Sequence, residues 1–147
     1  MIGLRHAAAF AAATLLVAPV IAHADDYPLK PGDYVEVTSV TVDDGHSLDY
    51  AKFLAGFWKD QEEFAKSQGW ITGYEILANV DKRPGEPDLY LVERFASFPT
   101  AAEDEARNKA YRDHMQKTIA QLDTESGQRA TYRHVIGSAL LRVMSFR

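Results

Sequence analysis

One eight-residue segment, Asp81 to Asp88 (DKRPGEPD), constrains this chain more than any other feature. Two prolines and a glycine in so short a stretch continue neither a strand nor a helix, so they turn the chain. On either side lie runs rich in β-branched and aromatic residues, Trp70 to Val80 (WITGYEILANV) and Leu89 to Phe95 (LYLVERF). Two strands joined by such a connection lie antiparallel.

Outward from this hairpin the same arrangement occurs twice. Upstream, Tyr34 to Val42 (YVEVTSVTV) alternates as a strand and ends in the turn Asp43-Asp44-Gly45. Between it and the hairpin, Tyr50, Phe53, Leu54, Phe57, Trp58, Phe64 and Ala65 recur three and four apart, with Lys52, Lys59, Asp60, Glu62, Glu63 and Lys66 opposite. This spacing predicts an amphipathic helix of about five turns, with Ser47 as its N-cap and Gly69 just past its end. Downstream, Thr100 and Glu103 form a capping-box pair and open a second helix. Its less polar face runs through Ala102, Ala106, Ala110, Tyr111, Met115, Thr118, Ile119 and Leu122. The stretch from Asp123 to Gly137 is polar and ambiguous, and Ala139 to Phe146 (ALLRVMSF) alternates as the last strand. Asp25 to Gly32, with two prolines and a glycine, reads as an extended arm. The order β-α-β-β-α-β predicts an α+β, ferredoxin-like layer, one antiparallel sheet with two helices on one face.

The N-terminus reads separately. Arg5 is the only charged side chain before an apolar run from Ala7 to Ala22, and Ala22-His23-Ala24 supplies a small-x-small exit. Residues 1–24 are therefore expected to be a cleaved secretion signal, too short and alanine-rich for a retained span. The mature chain, residues 25–147, fits a single domain, located in a periplasm or secreted. It has no cysteine, so packing must stabilise it without disulfides. Without Arg5 it carries fifteen Lys and Arg against twenty-one Asp and Glu, a net charge of −6, with no basic run. Such a surface repels phosphate backbones and anionic lipid, so neither nucleic acid nor, after signal cleavage, a membrane is an expected partner.

Alternation in the strands gives two candidate sheet faces. One carries Tyr34, Val40, Val42, Leu140, Met144 and Phe146 mixed with Glu36, Arg94 and Arg142; the other carries Val35, Val37, Leu141 and Val143. Both are too apolar to meet water, and a second copy of the sheet is the simplest cover. A homodimer is expected. In its element order, and in GWITGYEIL from Gly69 to Leu77 and PDLYLVERFASFPTAAE from Pro87 to Glu103, the chain resembles the dimeric α+β barrel superfamily. That resemblance implies two sheets paired into a barrel. It leaves the chemistry open among oxygenases, haem-handling enzymes, isomerases and members without a reaction.

Chemistry-bearing residues are few. Arg107, Tyr111, His114 and Thr118 follow helical spacings of four, three and four. If their face looks into a space beneath the sheet, Tyr111 binds a substrate and His114 deprotonates it. Trp58 and Phe57 would give aromatic walls and Arg107 a polar contact for a small apolar or aromatic ligand; the plainer alternative is that the aromatic stripe is core and His114 a solvated edge residue. Tyr132-Arg133-His134 reads as a loop, and Glu36, Glu75, Glu93, Arg94 and Arg142 as barrel-lining charges or cross-strand pairs. No cysteine, nucleotide or hydrolase motif occurs. Metal ligands and cofactors are not expected, although one axial histidine to haem fits the count. Three readings stay open: a small-molecule-binding protein, a cofactor-independent monooxygenase or lyase using a His/Tyr/Trp pocket, and a structural dimerisation module.

Overall fold

The computed structural model describes residues 27–147; the secretion signal expected over residues 1–24 lies outside them. Four strands, β1 (Leu29–Val42), β2 (Gly73–Ala78), β3 (Leu89–Phe95) and β4 (Arg133–Phe146), form one sheet in the order β2-β3-β1-β4. All three neighbouring pairs are antiparallel. With the β-α-β-β-α-β sequence of elements, this order is the ferredoxin-like α+β fold. The expected arm is partly strand, because Leu29 pairs with Phe146 and Lys30 with Ser145. β4 starts at Arg133, six residues before the alternation becomes visible at Ala139, so Arg133 and His134 belong to the sheet rather than to a loop.

The first helical stretch runs unbroken from Ser47 to Ser67 in three parts: α1 (Ser47–Phe53), a π-helical turn (Leu54–Trp58) and α2 (Lys59–Ser67). Ser47 is its first helical residue and not its cap. Gly45, at φ +87°, closes the preceding turn, and the His46 carbonyl accepts the first helical bond from the Tyr50 N–H at 3.0 Å. No side chain caps this end; the His46 ring instead lies 3.1 Å from the Asp49 carboxylate. The far end matches expectation. Gly69 adopts φ +70°, its N–H donates to Lys66, and the Trp70 N–H reaches back to Ala65, a paired closure favoured by glycine at this position.

The π turn has a cause in the sequence. Tyr50, Leu54, Trp58 and Glu62, the residues this stretch buries, are spaced four apart throughout. Four α-helical residues advance about 40° beyond a full turn, so three such steps would carry the stripe off the sheet. One wider turn returns it. Tyr50, Leu54 and Trp58 then close with Val40 and Leu91 into the core. Glu62, expected on the solvent face, is turned inward by the same wider turn and is 1% exposed.

The second helix is two helices. Gln116 adopts φ 52°, which ends α3 (Ala101–Met115), and Thr118 caps α4 (Ile119–Arg129). Both begin with reciprocal capping boxes, Thr100 with Glu103 and Thr118 with Gln121. The face expected from Arg107 through Thr118 therefore stops before Thr118, and most of the ambiguous polar stretch is α4 and the start of β4. α3 packs against α2.

Strand register separates the faces. Thr38 lies beside Leu91, and Leu91 beside Ile76, so these side chains share the helix-covered face with Glu36, Val40, Glu93 and Tyr74. Val35, Val37, Val92, Leu77 and Leu141 point the other way. Arg94 belongs to this second face, beside Val35, and not with Glu36 as the alternation suggested. It pairs there with Glu75 at 2.7 Å. Register shifts near Gly32 and Ile136 bulge the β1–β4 pair at both ends.

Candidate functional site

The three α3 residues singled out from the sequence do form one row, but the row meets α2 and Trp70. The Tyr111 hydroxyl donates to the Gln61 side-chain carbonyl at 3.0 Å. The His114 ring lies flat on Phe64, with centroids 4.1 Å apart, and its Nε2 is 3.4 Å from Asp60. The Arg107 guanidinium sits 5.6 Å over the Trp70 ring. Trp58 is elsewhere, buried in the core with its edge against Tyr74 at 5.3 Å. Phe57 faces a different cleft. Arg107, Tyr111 and His114 are thus brought together, and the two aromatic walls expected beside them are not.

A second group lies between the first helical stretch and the sheet. Glu62 has no hydrogen-bond or ion-pair partner among the described residues, and burial, reinforced by Glu93, raises its carboxyl to about 8. It holds its proton at neutral pH. Glu93 is also raised, by burial and then by Glu36, and Glu36 accepts a hydrogen bond from the Ser138 hydroxyl at 3.1 Å. At the rim the Tyr74 hydroxyl donates to Glu63; that bond, ahead of burial, pushes it up to about 12. Burial likewise pushes the Tyr111 hydroxyl up, with Glu62 among the charges acting on it. A carboxyl kept neutral in an apolar setting can donate a hydrogen bond or a proton. The group is not arranged to hold a metal ion among the described residues. Sequence reasoning passed over Glu62, although its place four residues after Trp58 extends the buried stripe.

A third feature is a cleft of about 530 Å³ where α4 meets the first helical stretch. Phe53, Phe57 and Tyr132 give it aromatic walls, and Lys117, Glu125, Gln128 and Arg129 its polar ones. Phe53 and Phe57 stack at 5.8 Å, and Arg129 lies 4.2 Å over Phe53. Lys117 sits 4.6 Å over Phe57 and is held by both oxygens of Glu125 at 2.6 and 2.7 Å. Just outside, the Tyr132 ring stacks on His46 at 4.9 Å, and His134 Nε2 is 3.1 Å from Asp43.

No protein-family model matches the chain, and no curated protein does. Among solved structures the chain is similar to a dimeric ferredoxin-like protein from an uncultured marine organism, at 14% identity and a TM-score of 0.39, over 79% of this chain and 96% of that one. So distant a likeness adds nothing to the strand order, on which the assignment of the fold rests.

Proposed function

We propose that the protein is an exported, homodimeric α+β barrel protein, periplasmic or secreted, that binds a small apolar or aromatic ligand. The observation behind it is the sheet edge. Along β4 both rows carry apolar side chains open to solvent: Leu141 and Val143 on the face away from the helices, Leu140 and Met144, with Ser138 and Arg142, on the other. Leu141 is 54% exposed, and Leu77 on the opposite edge strand shares its face. A second copy stacked on that face covers both, at a gain of about 25 cal/mol for each Å² of apolar surface removed from water. The aromatic cleft beside α4 supports the ligand half of the reading.

Native mass spectrometry of the protein beginning at Asp25 tests both halves. The expected result is a dimer carrying extra mass, which Leu141→Lys converts to monomer. A wild-type monomer overturns the dimer, and a dimer without added mass overturns the ligand.

A cofactor-independent monooxygenase or lyase is the second reading, and the protonated carboxyl of Glu62 is what favours it. In that case Glu62 handles the proton, with Tyr111 near enough to feel its charge and His114 beside Asp60 as the second titratable group. Turnover that survives Glu62→Gln and His114→Ala removes this reading.

A further inference from the structure

β4 is an open edge strand. In the order β2-β3-β1-β4 it has β1 on one side and, among the described residues, no strand on the other. Along its 14 residues the N–H and C=O groups of alternate residues therefore point outward without a ladder. Such edges are usually kept short, or are broken by proline, lysine or a charge, because an open row of backbone groups is a template for another strand. From Val135 to Phe146 (VIGSALLRVMSF) there is no proline, no lysine and no acid. The one charge, Arg142, leans away from the edge. Its Nε donates to the Gly32 carbonyl at 3.3 Å and its guanidinium lies 4.6 Å from the Tyr34 ring, both on β1. The opposite edge is guarded: β2 has only six residues, carries Glu75 in its ion pair with Arg94, and is soon followed by the proline-containing loop.

Side-chain exposure points the same way. Half of the large apolar side chains exposed among the described residues lie on β4, and they occupy both of its faces. A copy stacked on the face away from the helices covers Leu141 and Val143. It leaves Met144 and Leu140, the latter 54% exposed, bare on the other face. A strand laid alongside β4 flanks both rows at once, because its own side chains alternate above and below the same sheet. The chain itself limits what that strand can be. In the protein beginning at Asp25, only two residues precede the described ones, too few to line an edge about 45 Å long. β4 of a second copy has the matching length, the same open row and the same apolar residues on both faces. Two copies of one strand related by a twofold axis through the sheet run antiparallel, so this surface is its own complement.

We propose that β4 is a second self-association surface: the outer edges of two β4 strands pair antiparallel and join two four-stranded sheets into one of eight strands. The contact adds to the stacked dimer proposed above and needs no ligand. It is a narrow strip, so it forms at higher protein concentration than the stacking of whole faces and joins dimers into tetramers.

Sedimentation equilibrium of the wild-type protein from micromolar to millimolar concentration gives the stoichiometry. Amide hydrogen exchange read by NMR at both ends of that range gives the place, so no variant has to fold for the first answer. A dimer is expected at low concentration and a tetramer at high. The outward-facing amides of β4, alternate ones between Val135 and Ser145, should slow at least about tenfold as the tetramer forms, approaching those bonded to β1. Leu140→Lys and Met144→Lys, each at an exposed position and checked for native folding by circular dichroism, should put like charges along the paired edge. Each should weaken tetramer formation about tenfold or more and leave the dimer intact. Outward amides that exchange equally fast at both concentrations overturn the proposal and leave the stacked dimer standing, and so does a tetramer that both lysine variants form as readily as wild type. Slowing on β2 as well, with mass rising past the tetramer, means that β4 of one copy pairs with β2 of the next, and it too overturns the proposal. A monomer throughout removes both contacts.

Discussion

The helix from Ser47 to Ser67 sends Tyr50, Leu54, Trp58 and Glu62 into the interior and has no side chain capping its start. α3 and α4 each begin with a reciprocal capping box and bury none of their residues completely. The first stretch is held by what it packs against, to the point of widening one turn so that a four-residue spacing stays on the sheet. The other two are held mainly by local signals at their ends, with half-buried contacts such as Tyr111 on Gln61 added. Helices of the same sheet layer can therefore depend on different parts of their sequence, and substitutions should separate them.

The largest difference is expected in the interior. Trp58→Ala should cost about 3–5 kcal/mol in urea unfolding, as other large-to-small core changes do. Leu122→Ala on α4, half-buried, should cost under about 2 kcal/mol. Equal losses would break the comparison.

Next comes pH. The Glu62 carboxyl is raised in the fold, so between its ordinary range and about 8 the folded state holds a proton that the unfolded chain has released. Stability should fall as pH rises through that window, by as much as a few kcal/mol, and level off above it. Glu62→Gln should remove much of the slope and stabilise the protein at pH 9 relative to wild type. Glu93, raised for the same reason, would leave a smaller residual slope. A wild-type profile flat from pH 5 to 9 would show that Glu62 is hydrated after all.

The smallest effects belong to the helix starts. Thr100→Ala and Thr118→Ala should each cost about 1 kcal/mol and speed amide hydrogen exchange in the first turn of α3 or α4. His46→Ala, which removes no capping bond, should cost under about 0.5 kcal/mol.

The same contrast explains what was legible in the sequence. Thr100 with Glu103, Gly69 past a helix end and the Pro-Gly hairpin loop are local signals, each carrying its own geometry in a few residues, and they fixed the element order and hence the fold class. The second break, at Gln116, was missed because glutamine has no preference for a left-handed backbone; Thr118 and Gln121 formed a capping pair that was passed over for an apparently continuous helical face. Glu62 was missed because a period of 3.6 places a charged residue outward, while a spacing of four requires a different turn. Arg94 was assigned to the wrong face because alternation gives parity within a strand and not between strands. As for the candidate site, Arg107, Tyr111 and His114 were correctly read as one helical row, but what that row faces depends on how α2 and α3 pack, which their own spacing does not encode. The aromatic cleft is drawn from the first helical stretch, α4 and Tyr132, segments that only the folded chain brings together.

The pairing of Leu29 with Phe146 has a consequence in time. β1 is the first strand of the described chain and occupies an interior position of the sheet, yet one of its two neighbours is the last strand of that chain. Contacts between such distant segments form slowly, because the loop between them must close first. Until β4 has formed, β1 lacks the longer of the two ladders that hold it in place.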